Sequence, residues 1–208
     1  MKIIQAEIRS YGTNCYILYC EETLQAVIID PAGNAKELLE LFEKKNLKLK
    51  YIINTHGHVD HIGANGALKK TTDALILVHE EDAPMLTNHD KNFSIFVGKE
   101  ILGGIPDQFI NNGDIIEFGN IKLNVIHTPG HSKGSICLYN EKKKVLFSGD
   151  TLFAGSIGRT DFPGGSYKTI IKNIKEKLLI LPDETVVYPG HDIMTTIEYE
   201  KKNNPYVS

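Results

Sequence analysis

The 208-residue sequence predicts an α/β (α+β) fold in which one sheet packs on another and helices lie outside. Two observations support this prediction. Short runs rich in β-branched and aromatic residues are separated by turn signals, as in KIIQAEI, NCYILYC and QAVIID. Between such runs lie segments with apolar residues at helical spacing, of which NAKELLELFEKKN is the first. Such an order of elements favours layers of sheet and helix around shared cores.

The remaining elements are predicted in the same way along the chain. Residues 80–106 show no clear period, and we expect a short helix followed by irregular chain there. The segment HIGANGALKK has a helical pattern that its two glycines weaken. Strands are predicted at KLKYIINT, DALILVH, GDIIEFGN, IKLNVIHT, GSICLYNEKKKVLFSGD and TVVYPGH. No linker or low-complexity tract interrupts this order, so a single domain over residues 1–208 is expected.

The segment SYKTIIKNIKEKLLIL is predicted to form one amphipathic helix. Its apolar stripe consists of Tyr167, Ile170, Ile171, Ile174 and Leu178. Ser166 stands just before this stripe and has a side chain typical of an N-cap. The lysines between the apolar positions are most simply explained as a solvated face.

Charge and composition exclude several classes of function. The net charge is −3 and no basic stripe is present, so nucleic acid is not an expected partner. No apolar run reaches membrane-spanning length, and the N-terminal stretch MKIIQAEIRSYGTN lacks the apolar core of a secretory signal. We therefore expect a cytoplasmic protein that does not bind membranes. The sequence indicates no particular oligomeric state.

Three cysteines, Cys15, Cys20 and Cys137, lack C-x-x-C spacing and are too few for a disulfide framework. They are expected to be free, buried thiols. Cys15 and Cys20 are separated by an odd number of positions on a predicted strand, so their side chains should lie on opposite faces.

The segment INTHGHVDHIGAN concentrates side chains that can bind metal ions. His56, His58 and Asp60 are spaced by two, and alternate side chains of an extended segment point the same way. An extended turn would therefore present these three together, whereas His61 can point elsewhere as the next helix begins. Gly57 removes a side chain where the backbone must bend.

Three later segments end in a similar manner. Each is an apolar strand that ends in glycine followed by a further ligand candidate. The segments and their candidates are VIHTPGH with His131, VLFSGD with Asp150 and VVYPGH with His191. The glycines would let the backbone come close to a shared centre. The other histidines, His79, His89 and His127, are expected to be ordinary, partly buried residues.

Seven nitrogen or oxygen ligands are more than one tetrahedral zinc ion needs. Two ions roughly 3.5–4 Å apart, sharing one carboxylate, would use them all. Imidazole mixed with carboxylate suits zinc, iron or manganese. Asp60 and Asp150 would cancel about two of the roughly four positive charges of two such ions. The centre would stay net positive, which lowers the pKa of a bound water and generates hydroxide at neutral pH.

These motifs, THGHVDH followed by PGH, SGD and PGH, resemble those of the metallo-β-lactamase superfamily over nearly the whole chain. The resemblance implies a four-layer αββα sandwich that holds two divalent metal ions, most simply zinc, at one edge. The implied ligands are His56, His58 and His131 for the first ion, Asp60, His61 and His191 for the second, and Asp150 as the bridge. Two segments, the complete H-x-H-x-D-H pattern and GDTLFAGSIGRTDFPGG, resemble the corresponding segments of glyoxalase II-like thioester hydrolases, especially their short bacterial relatives.

The resemblance implies hydrolysis of an acyl thioester, such as an S-2-hydroxyacyl glutathione, by a metal-bound hydroxide. Asp60 and Asp150 are the expected catalytic carboxylates. Arg159 stands near the place of a glutathione-binding lysine and is expected to bind substrate, with an ion pair to Asp161 or a backbone clamp as an equal alternative. Phe162 is a candidate pocket residue, with core packing as the favoured alternative.

Two departures from glyoxalase II concern the thiol carrier. The chain stops at Ser208, without the C-terminal helical extension that supplies glutathione contacts, and Ile193 stands where a tyrosine is often found. The main alternative to a thioester hydrolase is a sulfur (persulfide) dioxygenase with one iron ion. Such enzymes resemble this chain even in the segment GRTDF. A β-lactamase, a nuclease and a non-enzymatic metal-binding protein are less favoured, because an export signal and a basic clamp are missing and the ligand set is complete.

Overall fold

A computed structural model describes residues 1–8 and 12–207, with the side chains of residues 1–6 and 12–207. Its first sheet contains six strands that neighbour one another in chain order. They are β1 (Lys2–Ile8), β2 (Thr13–Tyr19), β3 (Gln25–Ile29), β4 (Lys48–Ile53), β5 (Leu75–Val78) and β6 (Gln108–Phe109). The pairs from β1 to β3 are antiparallel, and those from β3 to β6 are parallel.

The second sheet has six strands whose order differs from chain order. These strands are β7 (Ile115–Phe118), β8 (Ile121–His127), β9 (Ile136–Asn140), β10 (Val145–Gly149), β13 (Val186–Pro189) and β14 (Thr195–Thr196). Their order across the sheet is β14-β13-β10-β9-β8-β7, and β10 and β13 are parallel neighbours. Between β10 and β13 the chain forms a small hairpin of β11 (Leu152–Phe153) and β12 (Ser156–Ile157).

Helices join and cover the sheets. They are α1 (Ala35–Lys44), α2 (Val59–Ile62), α3 (Asn65–Thr72), α4 (Ala83–Leu86), α5 (Tyr167–Asn173) and α6 (Ile197–Asn203). A 3₁₀ turn covers Ser94–Val97, and a π-helical turn, Ile174–Leu178, continues α5. None of the helices within the described ranges combines the length and apolarity that a membrane crossing requires.

Three buried clusters separate four layers. In the first, Phe42 of α1 and Leu68 of α3 pack on one face of the first sheet. The second fills the space between the sheets, where Ile29 and Phe147 are nearly fully buried. In the third, Ile170 and the helical segments around it cover the outer face of the second sheet. The prediction of an αββα sandwich is thereby confirmed.

Strand β2 belongs to the first sheet and is buried on both faces. Cys15 and Ile17 belong to the outer cluster of the first sheet, whereas Tyr16, Leu18 and Cys20 belong to the cluster between the sheets. The three cysteines are free and buried, and Cys15 and Cys20 lie on opposite faces, as predicted.

Helix α5 begins where predicted, but its apolar stripe and its C-terminal end differ from the prediction. Ser166 is the N-cap as predicted, because its Oγ accepts a hydrogen bond from the Thr169 amide at 3.3 Å. The prediction of one regular helix is wrong, since the Leu179 amide donates to the Ile174 carbonyl five residues back and forms the π turn. Tyr167 is 55% exposed, so the buried stripe begins at Ile170.

The predicted helix HIGANGALKK is also interrupted. It forms the end of α2 and most of α3, with a break at Gly63 and Ala64. At the break, the Ala64 amide donates to the Pro31 carbonyl outside the helix at 2.8 Å. This contact ties the start of α3 to the loop after β3. The segment GSICLYNEKKKVLFSGD is likewise two antiparallel strands, β9 and β10, joined by a turn.

Candidate metal centre

The ends of four strands bring the seven predicted ligands together. The segment after β4 of the first sheet carries His56, His58, Asp60 and His61. In the second sheet, His131 follows β8, Asp150 follows β10 and His191 follows β13. An isolated bridge between Thr13 and His191 connects β2 of the first sheet to the loop after β13. The centre therefore lies at one edge of the sandwich, between the sheets.

The local structure of Asp60 differs from its prediction. His58 is the extended N-cap of α2 (φ −70°, ψ 152°), so Asp60 and His61 lie in the first helical turn. The prediction that Asp60 belongs to one extended segment with His56 and His58 is therefore wrong. Because the helix has begun, Asp60 reaches His191 instead, with 3.3 Å between Asp60 Oδ2 and His191 Nε2.

A first set of ring nitrogens converges from His56, His58 and His131. His131 Nε2 lies 3.3 Å from His56 Nε2 and 2.9 Å from His58 Nδ1, and all three residues are buried. Ligands about 2.0–2.1 Å from a tetrahedral zinc ion are roughly 3.3 Å apart. The three nitrogens thus have the spacing of one face of such a site.

A second set consists of Asp60, His61 and His191. Asp60 Oδ2 lies 3.7 Å from His61 Nε2, in addition to its contact with His191. Asp150 stands between the two sets, since its Oδ2 lies 3.7 Å from both His131 Nε2 and His191 Nε2. Asp150 also forms a third group with His56 and His61, so its carboxylate lies next to members of both sets.

The polar atoms of this cluster have the character of ion ligands. His61 Nε2 and Asp150 Oδ1 are buried, lie 3.5 Å apart, and have no hydrogen-bond partner among the described residues. Buried polar atoms without partners are costly, and a bound cation would satisfy both of these. The donor set of imidazole and carboxylate fits zinc, iron or manganese.

Outer contacts orient the histidine rings. Asp30 Oδ2 lies 3.0 Å from His61 Nδ1, and the Arg159 carbonyl lies 2.9 Å from His131 Nδ1. Thr55 Oγ1, which donates to Asp30 Oδ2 at 2.6 Å, lies 3.1 Å from His56 Nδ1. These contacts leave Nε2 of His56, His61 and His131 facing the centre, whereas His58 presents Nδ1.

Burial and neighbouring charges set the protonation of the rings. Burial and the adjacent histidines lower the pKa of His58 to about 3, and they hold the pKa of His56 well below its usual range. Burial also opposes a charge on His61, but Asp150, Asp60 and Asp30 outweigh it and raise its pKa to about 10. His56 and His58 are thus neutral at pH 7 and can each offer a nitrogen lone pair to a metal ion, whereas ion binding must displace a proton from His61.

A buried carboxylate, Asp82, connects the two loops that carry the first set. Its Oδ2 accepts hydrogen bonds from the Gly57 amide at 3.1 Å and from Ser132 Oγ at 2.6 Å. Its Oδ1 accepts from the Gly134 amide at 2.7 Å. Gly57 lies between His56 and His58, and Ser132 follows His131, so Asp82 holds these ligands in register.

We expect Asp82→Ala to weaken ion binding by about 10–100-fold, the usual effect of removing a group that orients metal ligands. It should also lower the free energy of unfolding by roughly 3 kcal/mol, because three donors lose a buried charged acceptor. Metal titration and chemical denaturation measure the two effects. The control is Asp114→Ala, whose exposed carboxylate accepts one bond from the Asn111 amide. Equal metal affinity in Asp82→Ala and the natural protein would contradict this role.

A groove of about 710 Å³ opens onto the centre and is lined by both ligands and aromatic side chains. Arg159 and Phe162, the two predicted substrate-binding residues, both line it. Arg159 is engaged within the chain, since its Nε and Nη2 each donate to Asp161 at 2.8 Å. Its guanidinium also lies 3.7 Å from the centre of the Phe162 ring. Phe153 contributes to the same groove.

The remaining histidines belong to none of the ligand groups found within the described residues. His79 and His127 stack on each other with ring centres 4.0 Å apart, and His89 lies near Asp90 and Glu100. Sequence reasoning missed the supporting residues Asp30, Thr55, Asp82 and Ser132. Only Asp30 had a visible signal, because it ends the apolar strand QAVII as the ligands end theirs.

Comparison with known proteins agrees with this fold and centre. Residues 9–191 match the family model described as the metallo-beta-lactamase superfamily. Among curated relatives, hydroxyacylglutathione hydrolase GloC of Haemophilus influenzae is 37% identical, with 100% of this chain and 99% of that protein covered. The probable metallo-hydrolase YqgX of Bacillus subtilis is 34% identical, with coverage of 100% and 98%. The chain belongs to the metallo-beta-lactamase superfamily and is a metal-dependent hydrolase of that superfamily.

Solved structures show the same fold. The BLEG-1 B3 metallo-beta-lactamase has a TM-score of 0.94 at 37% identity, with both chains covered fully. ETHE1 from Myxococcus xanthus has a TM-score of 0.85 at 32% identity, covering 100% of this chain and 84% of that one. TTHA1623, whose crystal structure is of a di-iron-bound form, has a TM-score of 0.86 at 33% identity, with coverage of 99% and 100%.

Proposed function

We propose that the protein hydrolyses an acyl thioester, such as an S-2-hydroxyacyl glutathione, with two divalent metal ions. The observation that carries this proposal is the sharing of Asp150 Oδ2 between His131 and His191 at equal distances of 3.7 Å. A carboxylate in that position can hold two ions close together. The name of the Haemophilus relative, hydroxyacylglutathione hydrolase, supports the choice of a thioester.

Zinc is the proposed metal, with iron and manganese as alternatives. The first ion would be held by His56, His58 and His131, the second by Asp60, His61 and His191, with Asp150 between them. When bound, the ions supply Lewis acidity, which acidifies a coordinated water and polarises the thioester carbonyl.

The protein's own side chains position and shield the reactants. Asp60 is the more exposed of the two carboxylates, at 28% against 11% for Asp150, and it lines the groove. Its free lone pairs can accept a hydrogen bond from the attacking water and so orient that water. Phe93 and Phe162 pack against the His58 ring and exclude bulk solvent from that side. The thiolate leaves toward the open groove and needs little assistance from an acid.

The test is hydrolysis of S-lactoylglutathione by the zinc-loaded protein before and after chelation. We expect chelation to abolish activity, added zinc to restore it, and His58→Ala to lower kcat by roughly 10²–10³-fold, comparable to the loss of one group that stabilises the transition state. His89→Ala is the matched control, because the His89 side chain is only partly buried, at 43% exposure, and lies outside the ligand groups. Activity that survives both the chelator and His58→Ala would contradict a metal-dependent hydrolase.

The same preparation distinguishes the dioxygenase alternative. Elemental analysis gives the number and kind of ions per chain, and an oxygen electrode measures uptake with glutathione persulfide. Two ions and thioester turnover support the proposal. One iron per chain, oxygen uptake with the persulfide and no thioester turnover would replace it with the dioxygenase.

A further inference from the structure

An aromatic wall lines the groove beside the centre. Phe93 and Phe162 have ring centres 4.5 Å apart, and the same rings lie 5.1 Å and 5.9 Å from the ring of His58. Phe96 extends this wall outward, with its ring centre 6.1 Å from that of Phe93. The wall therefore runs without interruption from a ligand of the first set to the mouth of the groove.

The outer part of the wall is unusually exposed. Phe96 is 81% exposed, and Ile95 and Val97 in the same 3₁₀ turn are 55% and 41% exposed. Phe93 has φ 66°, a left-handed conformation that is unfavourable for an aromatic residue. Strained residues and contiguous exposed apolar surface both concentrate at binding sites.

Apolar side chains outside the aromatic wall also line the groove. Phe153 and Ile157 line it from the small β11–β12 hairpin. The loop after this hairpin contributes Arg159, which is the only Lys or Arg side chain among the described residues of the lining. Two of its five N–H donors are paired with Asp161, and its planar face lies on Phe162. Asp161 thus balances the charge of Arg159, and the stacked guanidinium continues the surface of the aromatic wall.

We propose that this groove selects thioesters that carry an aromatic or comparably bulky apolar group, in preference to the two carboxylates and peptide of glutathione. This specificity deepens the thioester hydrolysis proposed above and rests on it. Stacked phenyl rings gain attraction beyond the area they bury. The groove of about 710 Å³ is large enough for such a group next to the reacting carbonyl.

Two test substrates show whether the groove binds a phenyl ring on the acyl side or on the thiol side of the thioester. S-phenylacetyl-N-acetylcysteamine carries a phenyl ring on the acyl side, and S-benzyl thioacetate carries one on the thiol side. S-acetyl-N-acetylcysteamine is the reference without a ring, and S-lactoylglutathione is the polar competitor. Each kcat/KM is divided by the rate constant of that thioester with hydroxide. We expect at least one ring-bearing substrate to exceed both others by about tenfold or more.

The variants are Phe96→Ala and the control Phe109→Ala. Phe96 is so exposed that its removal leaves the core intact, and Phe109 is also exposed, at 53%, but lies on β6 outside the groove lining. Phe96→Ala should raise KM for the preferred ring-bearing thioester by roughly three- to tenfold, the value of one aromatic contact. The rise in KM for the reference thioester, which has no ring to stack, should be smaller, and Phe109→Ala should change neither KM.

A binding measurement separates this proposal from the proposed function. The ketone 1,4-diphenylbutan-2-one corresponds to a thioester that carries a phenyl ring on both sides, with CH₂ in place of the sulfur. It cannot be hydrolysed, so calorimetry with this ketone measures binding in the groove alone. We expect it to bind the zinc-loaded protein more tightly than S-methylglutathione does, and Phe96→Ala to weaken it by the same three- to tenfold.

Each other outcome overturns one of the two proposals. Preferred turnover of S-lactoylglutathione, or ketone binding unaffected by Phe96→Ala, rejects the aromatic groove while leaving thioester hydrolysis intact. No turnover of any of these thioesters contradicts the proposed function, and the ketone affinities then decide the groove by themselves. A dimer in sedimentation that Phe96→Ala dissociates, together with unchanged ketone affinity, would assign the exposed turn to a second copy of the chain.

Discussion

Replacing Asp150 by asparagine is expected to empty or weaken both ion sites together. The carboxylate contacts His61 through Oδ1 and lies 3.7 Å from both His131 and His191 through Oδ2. An amide is neutral and offers one acceptor oxygen in place of two, so it cannot serve both ions. Thioester turnover should fall by at least roughly 10²–10³-fold. Elemental analysis after dialysis against a weak chelator measures the ions retained per chain.

The matched control is Asp192→Asn, in the same groove. Asp192 is exposed, adjoins His191 in sequence and belongs to none of the ligand groups. Its φ of 65° is one that asparagine tolerates well, so the backbone should not change. The control should retain two ions and most of the activity. An Asp150→Asn protein that still holds two ions with unchanged affinity would contradict a bridging carboxylate.

The ligands of the centre could be predicted from the sequence because each signal is local. His131, Asp150 and His191 each follow an apolar strand and a glycine, and His56 to His61 occupy one short segment. Strand ends at one edge of a sandwich lie close together, so a repeated local pattern indicates a shared site. The start of α2 could not be placed in this way, because no sequence signal marks where the extended segment ends.

The parts that could not be predicted depend on distant contacts. Asp82 joins Gly57, 25 residues before it, to Ser132, 50 residues after it, and nothing in the segment EEDAP indicates either partner. The π turn after α5 interrupts a strongly periodic pattern, although Ile174 and Leu178 remain buried as that pattern predicts. The aromatic wall depends on the left-handed backbone of Phe93, a conformation for which sequence favours other residues.

Gly190 provides a second strong test, because the backbone there passes directly against the Asp150 carboxylate. A Cβ atom at this position would lie 2.2 Å from Asp150 Oδ1 and 3.0 Å from His61 Cε1. Contacts this short force the neighbours to move, so Gly190→Ala should displace Asp150 from between the two ligand sets. A displacement near 1 Å costs about 10² in rate when it affects reacting groups. Overpacking should also cost about 1–3 kcal/mol of unfolding free energy.

Gly66→Ala is the matched control for this substitution. Gly66 lies in α3, where a Cβ atom would meet no described atom within 4 Å and the backbone does not require a positive φ. Alanine there should stabilise the helix by roughly 0.5–1 kcal/mol and leave activity unchanged. Thermal unfolding, ion content and thioester turnover, measured on both variants, separate a general cost of added volume from displacement of the centre. If Gly190→Ala retains two ions and full turnover, the backbone at Gly190 does not set the position of Asp150, and close approach of the strand ends is not what confines the ligands.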